Sequence, residues 1–446
     1  MTPEKMFHEL LGLGMKWEVV ECKFDRVDRK VRLKIQETKE VWKHVFCSKD
    51  SGACFCYDHT EELTWQHLNV FEHSCKIVCR LPRAKCRKCG RVFRVEPPWQ
   101  GLSRHFTKAF EAYALLIARE MPVARAAEIL GITDMRLWRI LFAHVDRAYK
   151  EVDFSSVTCV GADELNIRKG HEYVTVFADL YKRRVLYATE GKDSTTWEQF
   201  ITALEDHNGH RHAIQWARMD MSPAYVKGVT SCCRNAEIVF DKFHIIANVN
   251  KAIDKVRRGE IRKGEKGVWE QLKQSCWLWR KNPENLTEKE AGRLDQIDQE
   301  SLLTAKAYQM KLELQKIYLV ENAREAARRL RIWCWWVERT ARRYSHSILN
   351  PMVTVAQTIK RNFKGVVAHW KSGLTNAYME GLNSVFQATQ RLLDHDALFH
   401  RRKTPSPRSV SIPLETWKNQ NTPLNFLVMS TLSLFFSQLI AEAPSL

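Results

Sequence analysis

The chain has 446 residues, room for two to four domains, and 45% of them are hydrophobic, which excludes a disordered polymer. Lysine and arginine outnumber the acids to give a formal net charge of +18 and a pI of about 9.3. That excess suits a polyanion, either nucleic acid or an anionic membrane, although a basic solvated surface would carry it as well.

The start, Met1 to Lys5, lacks a charged leader followed by an apolar run. The one long apolar stretch, Phe426 to Ile440, is broken by Ser430, Thr431, Ser433, Ser437 and Gln438. It falls short of the roughly 18–20 residues that span a bilayer. A soluble, cytoplasmic chain with no membrane partner is expected, so nucleic acid is the better match. The 13 cysteines are an odd number, which predicts reduced thiols, some of them binding metal.

Residues 1–100 read as short strands with cysteines and turn residues, a zinc-finger-like module. In Cys86-Arg-Lys-Cys89-Gly90, two thiolates two residues apart form a zinc knuckle, with glycine relaxing the turn. Cys47 and Cys54 are the favoured second pair, and Asp50 or Cys56 can replace either. The alternative is a small β-domain with unliganded cysteines. Cys75 and Cys79 read as packing residues. Of the basic residues around the knuckle, Arg83, Arg87 and Lys88 are candidate phosphate contacts.

Residues 101–150 carry apolar residues at helical spacing. Small Ala126 and Ala127 allow close helix approach, Gly131 suits a left-handed turn, and Thr133 or Asp134 can cap a second helix. This is a helix-turn-helix pattern that would offer Arg136 and Arg139 to a major groove, although any tight helical hairpin looks similar.

Residues 151–248 switch to alternating strands: one ending in Asp163 and Glu164, a hairpin, a helix at about 194–204, a strand ending in Asp220, a helix from Pro223, and a strand ending in Asp241. The order β-β-β-α-β-α-β is that of a ribonuclease H-like fold, in which strands one and four are neighbours. Asp163 and Asp220 are then expected at adjacent strand ends. In-line cleavage of a phosphodiester uses one cation at the nucleophile and one at the leaving oxygen, and Mg²⁺ prefers carboxylates.

Residues 249–365 read as an all-helical insertion. Its tryptophans suit packing, and Arg328, Arg329, Arg331, Arg339, Arg342 and Arg343 are either DNA contacts or a solvated face. Residues 366–392 read as the second part of the core, with one further helix over about 366–390 on which Asn376, Glu380 and Asn383 share a face. Residues 393–446 form a tail rich in proline, serine and arginine and then apolar.

The chain resembles bacterial insertion-sequence transposases of the ISL3 family. The match is carried by Gly161-Ala-Asp163-Glu164, Lys169-Gly-His171-x-Tyr173-x-Thr175, Asp220-Met-Ser-Pro-Ala-Tyr225, Asp241-Lys-Phe-His244 and Asn376-x-x-x-Glu380-Gly-x-Asn383. The resemblance implies an α/β protein in which a ribonuclease H-like catalytic core is interrupted by a helical insertion, behind zinc-finger and helix-turn-helix modules. It implies a DDE transposase whose triad is Asp163, Asp220 and Glu380, holding two Mg²⁺ or Mn²⁺ ions, with Asp241 and His244 in support. Its partners would be double-stranded DNA, both terminal inverted repeats and target, bound by a homodimer. Structural Zn²⁺ would sit on Cys47, Cys54, Cys86 and Cys89. Two departures stand out. The first cysteine pair is degenerate, and after Gln390-Arg391 the chain leaves the family's basic Ala-Arg-Gly-Tyr-Arg-like stretch. A DNA-binding regulator that no longer cleaves is the alternative reading.

Overall fold

A computed structural model describes residues 2–168, 172–263, 266–297, 302–344, 346–374 and 377–384. They fall into two compact units that divide after Val152.

The first unit opens with helix α1 (Pro3–Leu10) and a five-stranded sheet: β1 (Trp17–Asp25), β2 (Lys30–Glu37), β3 (Cys54–Val70), β4 (His73–Cys86) and β5 (Val92–Arg94). Four strands run in the order β1-β2-β4-β3, and β5 pairs with β4. Alternation along β2 and β4 buries Val31, Leu33 and Ile35 with Cys75, Ile77, Cys79 and Leu81, under Trp17, Trp65 and Trp99. Cys75 and Cys79 are thus packing residues, and burial pushes both thiols to about 12.

Three helices follow: α2 (Lys108–Glu120), α3 (Val123–Leu130) and α4 (Asp134–Glu151). Ala126 and Ala127 are buried where α3 meets its neighbours. Gly131 ends α3 at φ +65°, and the Ile132 amide donates to the Ala127 carbonyl. A side chain at Gly131 would be strained at that φ. The buried carboxylate of Glu111 accepts the Leu102 and Ser103 amides and sits 2.8 Å from Nε2 of His144, tying the loop before α2 to α4.

The second unit is built on β6 (Cys159–Arg168), β7 (Glu172–Asp179), β8 (Arg184–Glu190), β9 (Trp216–Met219) and β10 (Glu237–Phe240). The sheet order is β10-β9-β6-β7-β8. β6, β7 and β8 pair antiparallel, whereas β9 runs parallel to β6 and β10 parallel to β9. Helices α5 (Thr195–Asp206) and α6 (Pro223–Cys232) alternate with the last strands. Phe177 of β7 stacks on Phe200 of α5 at 4.4 Å. Gly228 lets α6 approach α5, because a Cβ there would lie 2.7 Å from the Trp197 ring.

The helical part comprises α7 (Lys242–Lys263), α8 (Lys266–Leu272), α9 (Glu288–Asp295), α10 (Leu303–Ile317), α11 (Ala323–Tyr344), α12 (His346–Arg361) and α13 (Phe363–Ser372). Their apolar faces form one core that includes Ile253, Met310, Trp333 and Met352, joined by Trp279 from the connection between α8 and α9. The single helix expected over 366–390 is two helices where described. α13 stops at Gly373, whose φ of +63° cannot continue a right-handed helix, and a separate helical segment covers 377–384. No helix among the described residues is long and apolar enough to cross a membrane.

Candidate active site and cysteine cluster

Three elements of the second unit converge where the parallel strands end. The pairing of β6 with β9 runs through Gly161 opposite Arg218. Two residues further along the chain lie Asp163, still within β6 and opposite Val176 of β7, and Asp220, the residue after β9. The helical segment 377–384 buries Met379 and Leu382 against Leu165, Val174 and Val176 of the same sheet. This docking puts the Asn383 amide on Asp163, at 2.6 Å from Oδ2. Glu380, exposed, is three residues earlier on that segment, on the adjoining turn. Asn376 lies outside the described residues, as do Lys169, Gly170 and His171.

The site is a concentration of negative charge. Burial pushes the Asp163 carboxyl above its ordinary value, although the Asn383 bond and the His244 charge oppose it. Burial, and then the charge of Asp220, hold half-buried Glu164 up as well, with Asp163 adding to the effect and Lys192 opposing it. Beneath them Tyr225 is fully buried and bonds Thr175 at 2.7 Å, and Thr175 donates to the Gly191 carbonyl. The Tyr225 hydroxyl is pushed up by burial and, in part, by the charges of Glu164, Asp220 and Asp163. Among the described residues no three of these carboxylates bring donor atoms within 4.8 Å of one another, and it is at Glu164 that the charges of Asp220 and Asp163 meet.

The surroundings hold this arrangement. Asp220 Oδ1 accepts the Ser222 amide at 2.7 Å, which fixes the turn into α6. Nε2 of His244 lies 3.8 Å from Asp163 and 3.9 Å from Asp241. Asp241 and Arg218 are both almost fully buried and form a 2.9 Å ion pair. The other guanidinium nitrogen of Arg218 donates to the Leu374 carbonyl, just before the segment that carries Glu380. Sequence reasoning did not single out Arg218. The available signal was an arginine inside a short apolar strand, a residue that is buried only with a partner anion.

In the first unit, Cys47, Asp50, Cys86 and Cys89 bring one donor atom each within 4.8 Å of one another. Cys54 faces Cys86 across β3 and β4, but its thiol turns to the Gly52 carbonyl at 3.4 Å. Asp50 thus joins Cys47, Cys86 and Cys89 in this group, with Cys54 buried next to it and within reach of Cys86. Cys56 is drawn elsewhere, into a group with Glu37 and His59. The Lys88 amide donates to Cys86 Sγ at 3.3 Å, as a metal-binding knuckle requires. The Gly52 amide, and after it the thiols of Cys89, Cys86 and Cys47, hold the Asp50 carboxyl at about 2. Cys89 stands at about 11: the Arg91 amide pulls it down, but Asp50, burial and the other two thiols outweigh it. Four crowded donors sharing protons fit a tetrahedral cation.

Arg136 and Arg139 are exposed on α4. Arg87 and Lys88 are exposed beside the cysteine cluster, whereas both sides of the Arg83 guanidinium fork are engaged by Asp58. On α11, Arg328 and Arg329 pair with Glu325, Arg331 lies over Phe363, and Arg339 lies over Trp335.

Comparison with known proteins meets this geometry. A family profile described as transposase matches residues 160–392, and one described as the helix-turn-helix domain of transposase family ISL3 matches residues 96–145. The chain is 25% identical over 361 residues to the transposase for insertion sequence element IS1001 of Bordetella parapertussis, covering 79% of this chain and 86% of that protein. It is 24% identical over 427 residues to the transposase for insertion sequence element IS1557 of Mycobacterium tuberculosis, covering 88% and 92%.

Proposed function

The chain belongs to the ISL3 family of insertion-sequence transposases, and from that premise we propose that it cuts and joins DNA at Asp163, Asp220 and Glu380. The carrying observation is the 2.6 Å bond from Asn383 to Asp163, which joins residues 220 positions apart and brings the Glu380 turn to the strand end. The strand order β10-β9-β6-β7-β8, with two antiparallel and two parallel pairings, supports a ribonuclease H-like core.

In this reading the three carboxylates hold two Mg²⁺ or Mn²⁺ ions, with Glu164 adding negative charge beside them. When bound, such ions polarise the scissile phosphate and offset charge on the leaving oxygen. Asn383 and His244 orient Asp163, and Asp241 orients His244 from a position fixed by Arg218. Helix α4 presents Arg136 and Arg139 to the major groove of the terminal inverted repeats. The cluster Cys47, Asp50, Cys86 and Cys89 takes structural Zn²⁺ and carries Arg87 and Lys88 to the backbone. The domains follow: a zinc-binding module over 1–100, a DNA-binding helix-turn-helix over 101–150, and a core over 151–248 and 366–392 split by the helical insertion. Two ends must be paired, so a homodimer is the working form.

The test uses a duplex bearing the element's terminal repeat, with Mg²⁺ or Mn²⁺. The wild-type chain nicks it, and Asp163→Asn binds it but does not. Retained cleavage in the variant defeats the catalytic assignment. A wild-type chain that binds without metal-dependent cutting is a DNA-binding regulator instead.

A further inference from the structure

Two hollows, of about 330 and 670 Å³, share Met221, the residue after Asp220, and Thr358. One lies between α7 and α12, the other between α6 and α12. Their shared Met221 and Thr358 join them into one groove that passes the chain neighbour of Asp220. Lys251 and Lys255 line it from one turn to the next of α7, Lys227 from α6 and Arg361 from α12. No aspartate or glutamate lines either hollow, and none of the four cations joins an ion pair among the described residues. The contrast with α11 is direct, because Arg328 and Arg329 there share the carboxylate of Glu325. The rest of the lining is hydroxyl, amide and apolar, including Asn248, Thr354 and Thr230.

We propose that this groove binds the backbone of the target DNA and leads it to the active site, a reading that rests on the proposed transposase chemistry. Unpaired cations and hydroxyls are phosphate ligands, and phosphate contacts carry no sequence information. Such a surface suits the strand whose sequence is not fixed. The strand of fixed sequence, the terminal repeat, has its own reader in α4. The groove's cations also offset the repulsion that the carboxylates of the site exert on an approaching phosphate chain.

The experiment uses the full chain with Lys251, Lys255 and Arg361 all changed to Ala, and a charge-keeping control, K251R/K255R/R361K. Precut terminal-repeat ends are joined to a supercoiled plasmid, and end nicking is measured in parallel. The alanine variant should lose strand transfer at least about tenfold more than it loses nicking, and the control should retain transfer. Binding to a random-sequence duplex in EDTA should weaken. Its slope against log salt should flatten by about 2.7 for three lost phosphate contacts. Transfer and nicking falling together would assign the groove to the transposon end and overturn the proposal, as would random-duplex binding equal to wild type. If the wild-type chain neither nicks nor joins, the chemical reading fails on its own. The groove then stands or falls on the random-duplex measurement.

Discussion

Replacing Arg218 with methionine separates the frame of the site from its chemistry. The guanidinium makes a 2.9 Å ion pair with Asp241 and a second bond to the Leu374 carbonyl, with both charged side chains nearly inaccessible. Methionine fills similar space but strands the Asp241 charge. Removing one partner of a buried pair costs about 3–5 kcal/mol. In a domain of this size each kcal/mol lowers Tm by roughly 2–4 °C, so the second unit should melt about 6–20 °C lower. The adjacent Glu380 segment loses its tether, so cleavage should fall further than the unfolded fraction explains. Thermal unfolding followed by circular dichroism measures the first effect. The double variant R218M/D241N removes the stranded charge yet keeps an acceptor for the Phe243 amide that Asp241 now receives. It should recover a coupling energy of about 0.5–3 kcal/mol. An R218M melt within about 2 °C of wild type, or zero coupling in the cycle, refutes the reasoning.

Other outcomes follow from the same geometry. Asp50→Ala should lower the zinc content measured by elemental analysis, whereas Cys54→Ser should leave it in place; the reverse result would restore Cys54 as the ligand. Arg136→Ala and Arg139→Ala should each weaken terminal-repeat binding by about 1–3 kcal/mol in a gel-shift titration if they read bases, with little change on random duplex. Without divalent cation, Asp163→Asn should raise the Tm of the second unit. Burial lifts the Asp163 carboxyl above its unfolded value, so its ionised form opposes folding at neutral pH. For the same reason the variant's advantage over wild type should shrink as pH falls through the carboxylate range, where Asp163 becomes neutral in both states. A variant less stable than wild type at pH 7 would contradict this.

Much of this was legible in the chain because it is written in local periodicity. The Gly131 turn, the buried Ala126 and Ala127, and the strand that stops at Asp220 follow from spacing alone, whereas β6 runs past Asp163 to Arg168. What spacing could not supply was partner choice across long separations. Cys54 and Asp50 both lie near the knuckle, and only the cross-strand geometry of β3 and β4 turns Cys54 toward the Gly52 carbonyl. Nothing in one sequence announces that Arg218 spans Asp241 and Leu374. The 366–390 helix was overextended because Gly373 sits in an otherwise helical stretch, where glycine signals a stop only if its φ turns positive.

The most direct measurement of the central claim is anomalous scattering from Mn²⁺ in crystals of the full chain. The account predicts manganese within about 2.0–2.6 Å of carboxylate oxygens from Asp163, Asp220 and Glu380 together. Manganese bound away from these side chains, or a Glu380 carboxylate turned from the strand end with the ions held by the other two alone, would contradict it.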